Sequence, residues 1–201
     1  MFSASGKDIS KPAKPEVMAA GFVERPCRYF ENPGSKNTEA VLEAVSRRLG
    51  EGDLRVVVVS STSGKTGLMF VEALREKASV IVVSYEKLRP EFRERILELG
   101  GLIIEESDLP LHKRGMDKIR NTLYMLGQGF KVAVEVILIA VDKDLVKPRQ
   151  IVIGVGGTAR GVDTAIVAKA ASSKDMLGPD VGRRLEVREV LAMPLRKKWW
   201  E

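Results

Sequence analysis

The four consecutive valines Val56-Val57-Val58-Val59 are apolar on both faces of an extended chain, a pattern that predicts a strand buried in a parallel sheet. With its flanks this strand covers 54–60, and similar runs over 79–84, 102–105, 151–155 and 185–193 predict four more. Between them the spacing changes. Val41, Leu42, Val45 and Leu49 recur at helical intervals behind Asn37-Thr38, which caps the start of a helix ending near Leu49. Further helices are predicted over 66–77, over 90–99 between Pro90 and the stop Gly100-Gly101, over 115–126 and over 161–172. The stretch 130–146 is too long for one strand, and Ala133, Ala140 and its charged ends favour a mostly buried helix. Strands alternating with helices imply βαβ units. The expectation is one α/β domain over 26–201, in three α/β/α layers, with a mostly parallel five-stranded sheet whose last strand is able to run antiparallel. Residues 1–25, rich in Ser, Lys and Pro without apolar period, read as a tail or surface arm.

Directly after the valines come Ser60, Ser61, Thr62, Ser63, Gly64, Lys65 and Thr66. A strand that turns through small residues into a helix gathers backbone N–H groups around one concavity, and the positive end of the helix dipole points into it. The hydroxyls add donors, so the loop reads as a phosphate cradle. The plainer alternative is helix capping, which needs one hydroxyl where this loop carries five. Gly64-Lys65-Thr66 invites comparison with a P-loop, but the glycine required five residues earlier is Val59, inside the strand. A loop this short does not encircle a triphosphate.

A second glycine cluster, Gly154-Val155-Gly156-Gly157-Thr158-Ala159, follows the predicted strand 151–155 and contains the spacing G-x-G-x-x-A. It comes too late in the chain for a dinucleotide fingerprint, which belongs to the first strand of its fold. Gly156, Gly157 and Thr158 are better placed as the opposite wall of the site, because ligands of open α/β sheets bind beyond the carboxyl ends of the strands. Asp163 and Thr164, one turn into the helix predicted there, either bond ligand hydroxyls or cap. Asn37 and Thr38 cap, with ligand contact as a second option. Gly127-Gln128-Gly129 heads a helix and is either a hinge or an anion cradle. Tyr85, just past the second strand, is placed to stack on a planar ring. His112 reads as an exposed loop residue, Glu105, Glu106 and Asp108 as solvated charges, and Trp199 and Trp200 as a docked tail or a subunit contact in a homo-oligomer.

Composition narrows the function. The chain is 44% hydrophobic and 30% charged with a net charge of +6, which suits an anionic ligand. Its basic residues cluster only at Arg196-Lys197-Lys198 and few aromatics interleave with them, so no nucleic-acid surface is expected. One cysteine, Cys27, and one histidine, His112, leave no disulfide framework, zinc cluster or metal site to expect. No apolar run approaches a membrane span, and a cytoplasmic location is expected. Scarce Asn and Gln beside many charges lean toward a thermophilic source.

The residues 44–85 resemble the C-terminal α/β domain of pyruvate kinase, in which a helix leads to an apolar strand, a T-x-S-G-x-T loop, a helix and a second apolar strand. The loop here is Thr62-Ser63-Gly64-Lys65-Thr66. The resemblance implies that Ser61, Thr62, Ser63, Gly64, Lys65 and Thr66 hold a phosphate, as the corresponding loop does for an allosteric sugar bisphosphate in many pyruvate kinases. The catalytic barrel of those enzymes has no counterpart here, so their phosphoryl transfer is not implied. The chain as a whole is similar to stand-alone, mostly archaeal proteins built on this domain. For that group the resemblance implies flavin mononucleotide (FMN) and no established reaction. In that reading Asn37, Thr158 or Asp163 meets the ribityl hydroxyls, and Tyr85, Met69 and the pair Gly156-Gly157 form the slot for the ring. The alternatives are a sugar-phosphate effector domain without catalysis and, behind it, a small phosphatase or NTPase.

Overall fold

A computed structural model describes residues 21–198; the greater part of the expected N-terminal arm, and Trp199 and Trp200, lie outside the described residues. Among the described residues seven strands form one sheet: β1 (Arg28–Phe30), β2 (Val56–Ser60), β3 (Ser79–Val83), β4 (Leu102–Ile104), β5 (Ile151–Gly156), β6 (Thr164–Lys169) and β7 (Glu186–Pro194). Five helices join them: α1 (Thr38–Leu49), α2 (Lys65–Leu74), α3 (Pro90–Glu98), α4 (Asp117–Tyr124) and α5 (Gln128–Asp142). The sheet order is β1-β7-β6-β5-β2-β3-β4. Only β6 is antiparallel to its neighbours β5 and β7, so the other six strands point one way.

The period of two within β2 sorts the core. Val57 and Val59 face α1, α2 and α3 together with Val80, Val82, Ile153 and Val155, against Val41, Val45, Phe70, Val71, Leu74 and Ile96. Val58 faces the other way with Ile81, Val83, Ile104, Val152 and Ile166, against Phe130, Ala133, Val134 and Ile137 of α5. The three α/β/α layers expected from the sequence are present, and among the described residues no helix is long and apolar enough to cross a membrane.

Two strands raise the number from the expected five to seven. The segment expected as a helix over 161–172 is instead the strand β6, which pairs with β5 from Gly156↔Thr164 to Ile151↔Lys169. All six of its residues are buried, because it runs inside the sheet with helices above and below it. Thr164, Ile166 and Val167 are β-branched and suit that place. The glycine cluster of 154–157 therefore leads into a hairpin turn and not into a helix. β1 is only three residues long and pairs parallel with the far end of the chain, Arg28↔Ala192 to Phe30↔Pro194. The last strand, β7, is antiparallel to β6 but points the same way as β5.

The strands β2, β3 and β4 step outward in order, with α2 and α3 on one face. The chain then crosses through α4 and α5 on the opposite face and returns as β5 on the other side of β2. The order reverses between β2 and β5, which opens a crevice at their carboxyl ends. Helix α5 lies against β5 with little room: a β-carbon on Gly156 would fall 2.2 Å from the Gly129 carbonyl oxygen and 2.5 Å from the Ala133 nitrogen. Both neighbours are backbone and cannot turn aside. Gly156→Ala should therefore destabilise the fold by about 1–3 kcal/mol or more through overpacking. Gly178→Ala, whose methyl would meet nothing nearer than 3.4 Å, should stay close to neutral in the same urea-unfolding measurement.

Candidate functional site

The loop after β2 sits at this crevice. The Ser61 N–H donates to the Val83 carbonyl at 2.9 Å, extending the β2–β3 ladder by one residue. The buried Ser61 hydroxyl turns inward and accepts the Gly67 N–H at 3.1 Å, capping α2 from inside. The next two carbonyls are drawn toward the connection between β3 and α3: Thr62 O accepts from the Ser84 hydroxyl at 3.3 Å, and Ser63 O accepts from the Arg89 N–H at 3.1 Å. In a trans peptide the N–H points opposite to the C=O. The N–H groups of Ser63 and Gly64 are thereby turned away from that connection.

Gly64 completes the bend with φ of 94°, a left-handed conformation, and a β-carbon there would strike Phe92 Cβ at 2.7 Å. Its carbonyl accepts from Leu68 at 2.8 Å and begins the helix. Ser63 Oγ lies 3.4 Å from the Lys65 N–H. Among the described residues, the N–H groups of Thr62, Ser63, Gly64 and Thr66 have no protein partner. Thr62 and Lys65 are exposed, and Ser63 and Thr66 half-buried. Four N–H groups without a protein partner and the hydroxyls of Thr62, Ser63 and Thr66 are gathered within one short loop at the start of α2, an arrangement that suits a small anion.

The opposite wall is braced from within. Asp163 is fully buried in the turn between β5 and β6. Its Oδ2 accepts the Gly34 N–H at 2.9 Å and the Thr158 N–H at 3.2 Å, while Oδ1 accepts the Thr164 hydroxyl at 2.9 Å. A β-carbon on Gly129 would lie 2.1 Å from Asp163 Oδ1, so this carboxylate rests on the first turn of α5. Gly127-Gln128-Gly129 is thus a helix start with an anion already beside it, supplied by the chain itself. Lys197 reaches the same place: its aliphatic stem passes Gly127, and the Lys198 carbonyl accepts the Gln128 N–H at 3.0 Å. Burial pulls the Lys197 ammonium below its ordinary pKa, against the opposing charge of Asp163. A second clasp ties the turn to α1, where Thr38 Oγ1 accepts the Val162 N–H at 3.1 Å.

The residues singled out in the sequence are therefore gathered unevenly. The segment Ser61, Thr62, Ser63, Gly64, Lys65 and Thr66 forms one wall, and Tyr85, 52% exposed beyond β3, stands on the same edge. Gly156, Gly157, Thr158 and Asp163 are brought to that edge from β5. The backbone of α5 covers Gly156, however, and a β-carbon on Gly157 would meet the Gly161 carbonyl at 2.1 Å. Neither position has room for a side chain, while Gly157 itself is half-buried. Asn37 donates its amide to the Asn32 carbonyl at 2.8 Å and shapes the loop ahead of α1. Lys197 and the Gly34 N–H escaped sequence reading, since both reach the site only through the fold. The one local signal was Gly129, a glycine at a helix start.

A cavity of about 510 Å3 opens at the amino ends of β2 and β5, lined in part by Arg25, Arg48, Asp53 and Glu189. Its charges answer one another: Arg48 meets Asp53 at 2.6 Å and Glu189 at 2.8 Å, and Arg25 meets Glu51 at 2.9 Å. The Asp53 carboxylate raises the Arg48 guanidinium above the ordinary arginine range, and Arg48 in turn lowers Asp53. This is an ionic clasp. Among the described residues, His, Cys, Asp and Glu nowhere gather in a group of three that would hold a metal. No protein-family model matches the chain.

The bracing role of Asp163 is testable. Asp163→Ala strands the buried Thr158 N–H, at a cost of about 1–3 kcal/mol for that donor alone. Chemical denaturation should show this loss, and amide exchange should show reduced protection in the turn 157–163.

Proposed function

We propose that the carboxyl edge between β2 and β5 binds a phosphorylated small molecule through the loop 60–66, and that FMN is the ligand. The observation that carries this reading is the set of unpaired N–H groups of Thr62, Ser63, Gly64 and Thr66, among the described residues, at the start of α2. A phosphate monoester supplies three acceptor oxygens to such a set, and the helix end favours its charge.

The site favours one phosphate over two. The other helix start at the strand-order reversal, α5, already holds the Asp163 carboxylate, and a second phosphate placed there meets like charge. A mononucleotide such as FMN satisfies that restriction, and a sugar bisphosphate does not. The isoalloxazine ring in this reading lies toward Tyr85, on the exposed edge beyond β3. Lys65 acts here as a nearby positive charge. The Walker arrangement is not available to it, because Val59 is a fully buried strand residue in register with Val82 and Val155.

Titrating the protein with FMN, riboflavin and fructose bisphosphate by calorimetry tests the reading. FMN should bind, and riboflavin, lacking the phosphate, should bind far more weakly. Thr62→Val combined with Thr66→Val should remove two charge-assisted bonds at about 1.5–3 kcal/mol each, so FMN affinity should fall at least roughly tenfold. Unchanged affinity in a folded double variant would refute the loop assignment. Tight bisphosphate binding without flavin binding would replace FMN with a sugar-phosphate effector.

A further inference from the structure

On the α5 side of the molecule three titratable side chains meet in a place the proposed ligand does not use. Lys131 and Glu135 lie one turn apart on α5, with their side chains only 2% and 3% exposed. Lys131 Nζ donates to Glu135 Oε2 at 2.7 Å and lies 2.9 Å from His112 Nε2. Glu135 Oε1 accepts the Leu111 N–H at 3.0 Å. Leu111 and His112 belong to a single 3-10 turn, Pro110–His112, which is therefore held to α5 at two points.

The chemistry of the second point is exclusive. An ammonium group has donors only, so the 2.9 Å contact requires a lone pair on Nε2 and places the ring proton on Nδ1. An imidazolium carries hydrogen on both nitrogens and would press N–H against N–H, cation against cation. His112 cannot hold both its second proton and its bond to Lys131. The groups facing the ring do not reverse this balance: Glu135 on α5 and Asp117 on α4 favour its charge, while burial, Lys131 and Arg120 oppose it. Asp117 is itself engaged with Arg120 at 2.7 Å. The net effect of burial and the Lys131 charge is to lower the His112 pKa.

We propose that His112 is an acid-sensitive latch: its neutral ring ties the turn Pro110–His112 to α5 through Lys131, and protonation releases that turn. His112 reaches solvent on its other side, so the released imidazolium has water to enter. Pro110 and Lys113 flank the latch and line a cavity of about 150 Å3 with Ser107, Asp108, Ile139 and Asp142. Release loosens one wall of that cavity. The released ring binds its proton more tightly than the latched one. The stabilisation is therefore complete above the ordinary histidine value of about 6.5 and is lost as the pH falls below it, toward the lowered value.

Because His112 is the only histidine, its ring Cε1–H resonance reports the titration unambiguously in the full chain. The wild-type midpoint should lie below that of a free histidine, and Lys131→Gln should raise it. Amide exchange at Leu111, His112 and Lys113, corrected for intrinsic rates, should accelerate roughly tenfold or more as His112 titrates. The amide of Val58 should stay protected, which separates release from global unfolding. His112→Gln keeps a neutral acceptor facing Lys131, so its turn should show no pH response. It also carries the test should Lys131→Gln fail to fold. A midpoint at or above the free value, or a turn whose protection is unchanged while His112 titrates, overturns the proposal.

Discussion

Helix α5 approaches strand β5 to a distance that only glycine permits, with Gly154 under the Ala133 carbonyl and Gly156 under that of Gly129. Side chains usually hold a helix and a sheet apart, and removing them lets the two backbones meet. That contact places the first turn of α5 at the carboxyl end of β5, next to the turn 157–163. It also brings the positive end of the helix within reach of Asp163, a carboxylate with no solvent exposure. A buried charge survives when donors surround it, and the Gly34 N–H, the Thr158 N–H, the Thr164 hydroxyl and the helix end do so together. The shape of one wall of the crevice follows from that arrangement.

The two helix starts at the reversal in strand order thus have opposite fates. At α5 the chain has supplied its own anion. At α2 the carbonyls of Thr62 and Ser63 are tied to Ser84 and Arg89, and among the described residues the N–H groups of Thr62, Ser63, Gly64 and Thr66 have no protein partner. The asymmetry gives the crevice a polarity, with a carboxylate fixed behind one wall and donors presented by the other. The proposed ligand, with one anionic end, rests on that polarity. At the opposite end of the sheet the charges around Arg48 are paired with one another.

Much of this was legible in the sequence wherever the signal was local. The valines of β2, the small residues after them and the helix behind are contiguous, so the loop 60–66 is recognisable from composition and order. α5 was recognisable by its length. β6 was not, because a strand buried on both faces loses its period of two. In Thr-Ala-Ile-Val-Ala-Lys the alanines imitate a helix interior. β1 offers three residues and no local partner. Asp163 reads in the sequence as a ligand contact or a cap, and one of its partners, the Gly34 N–H, lies 129 residues away. Nor could spacing show that the Ser61 hydroxyl would turn inward, since that depends on where Gly67 lands.

The pairing of β1 with β7 has a consequence for how the molecule is made. Arg28 faces Ala192 in the sheet, and Arg25 bonds Glu189 across 164 residues of chain. On a ribosome adding about 5–20 residues each second, the first strand waits roughly ten to thirty seconds for its neighbour to be synthesised. β2, β3 and β4, by contrast, have their partners in one another soon after they emerge. The nascent chain is thus expected to gain its centre first and its amino-terminal edge last. High contact order is concentrated in that docking step, so the β1–β7 seam is expected to form slowly.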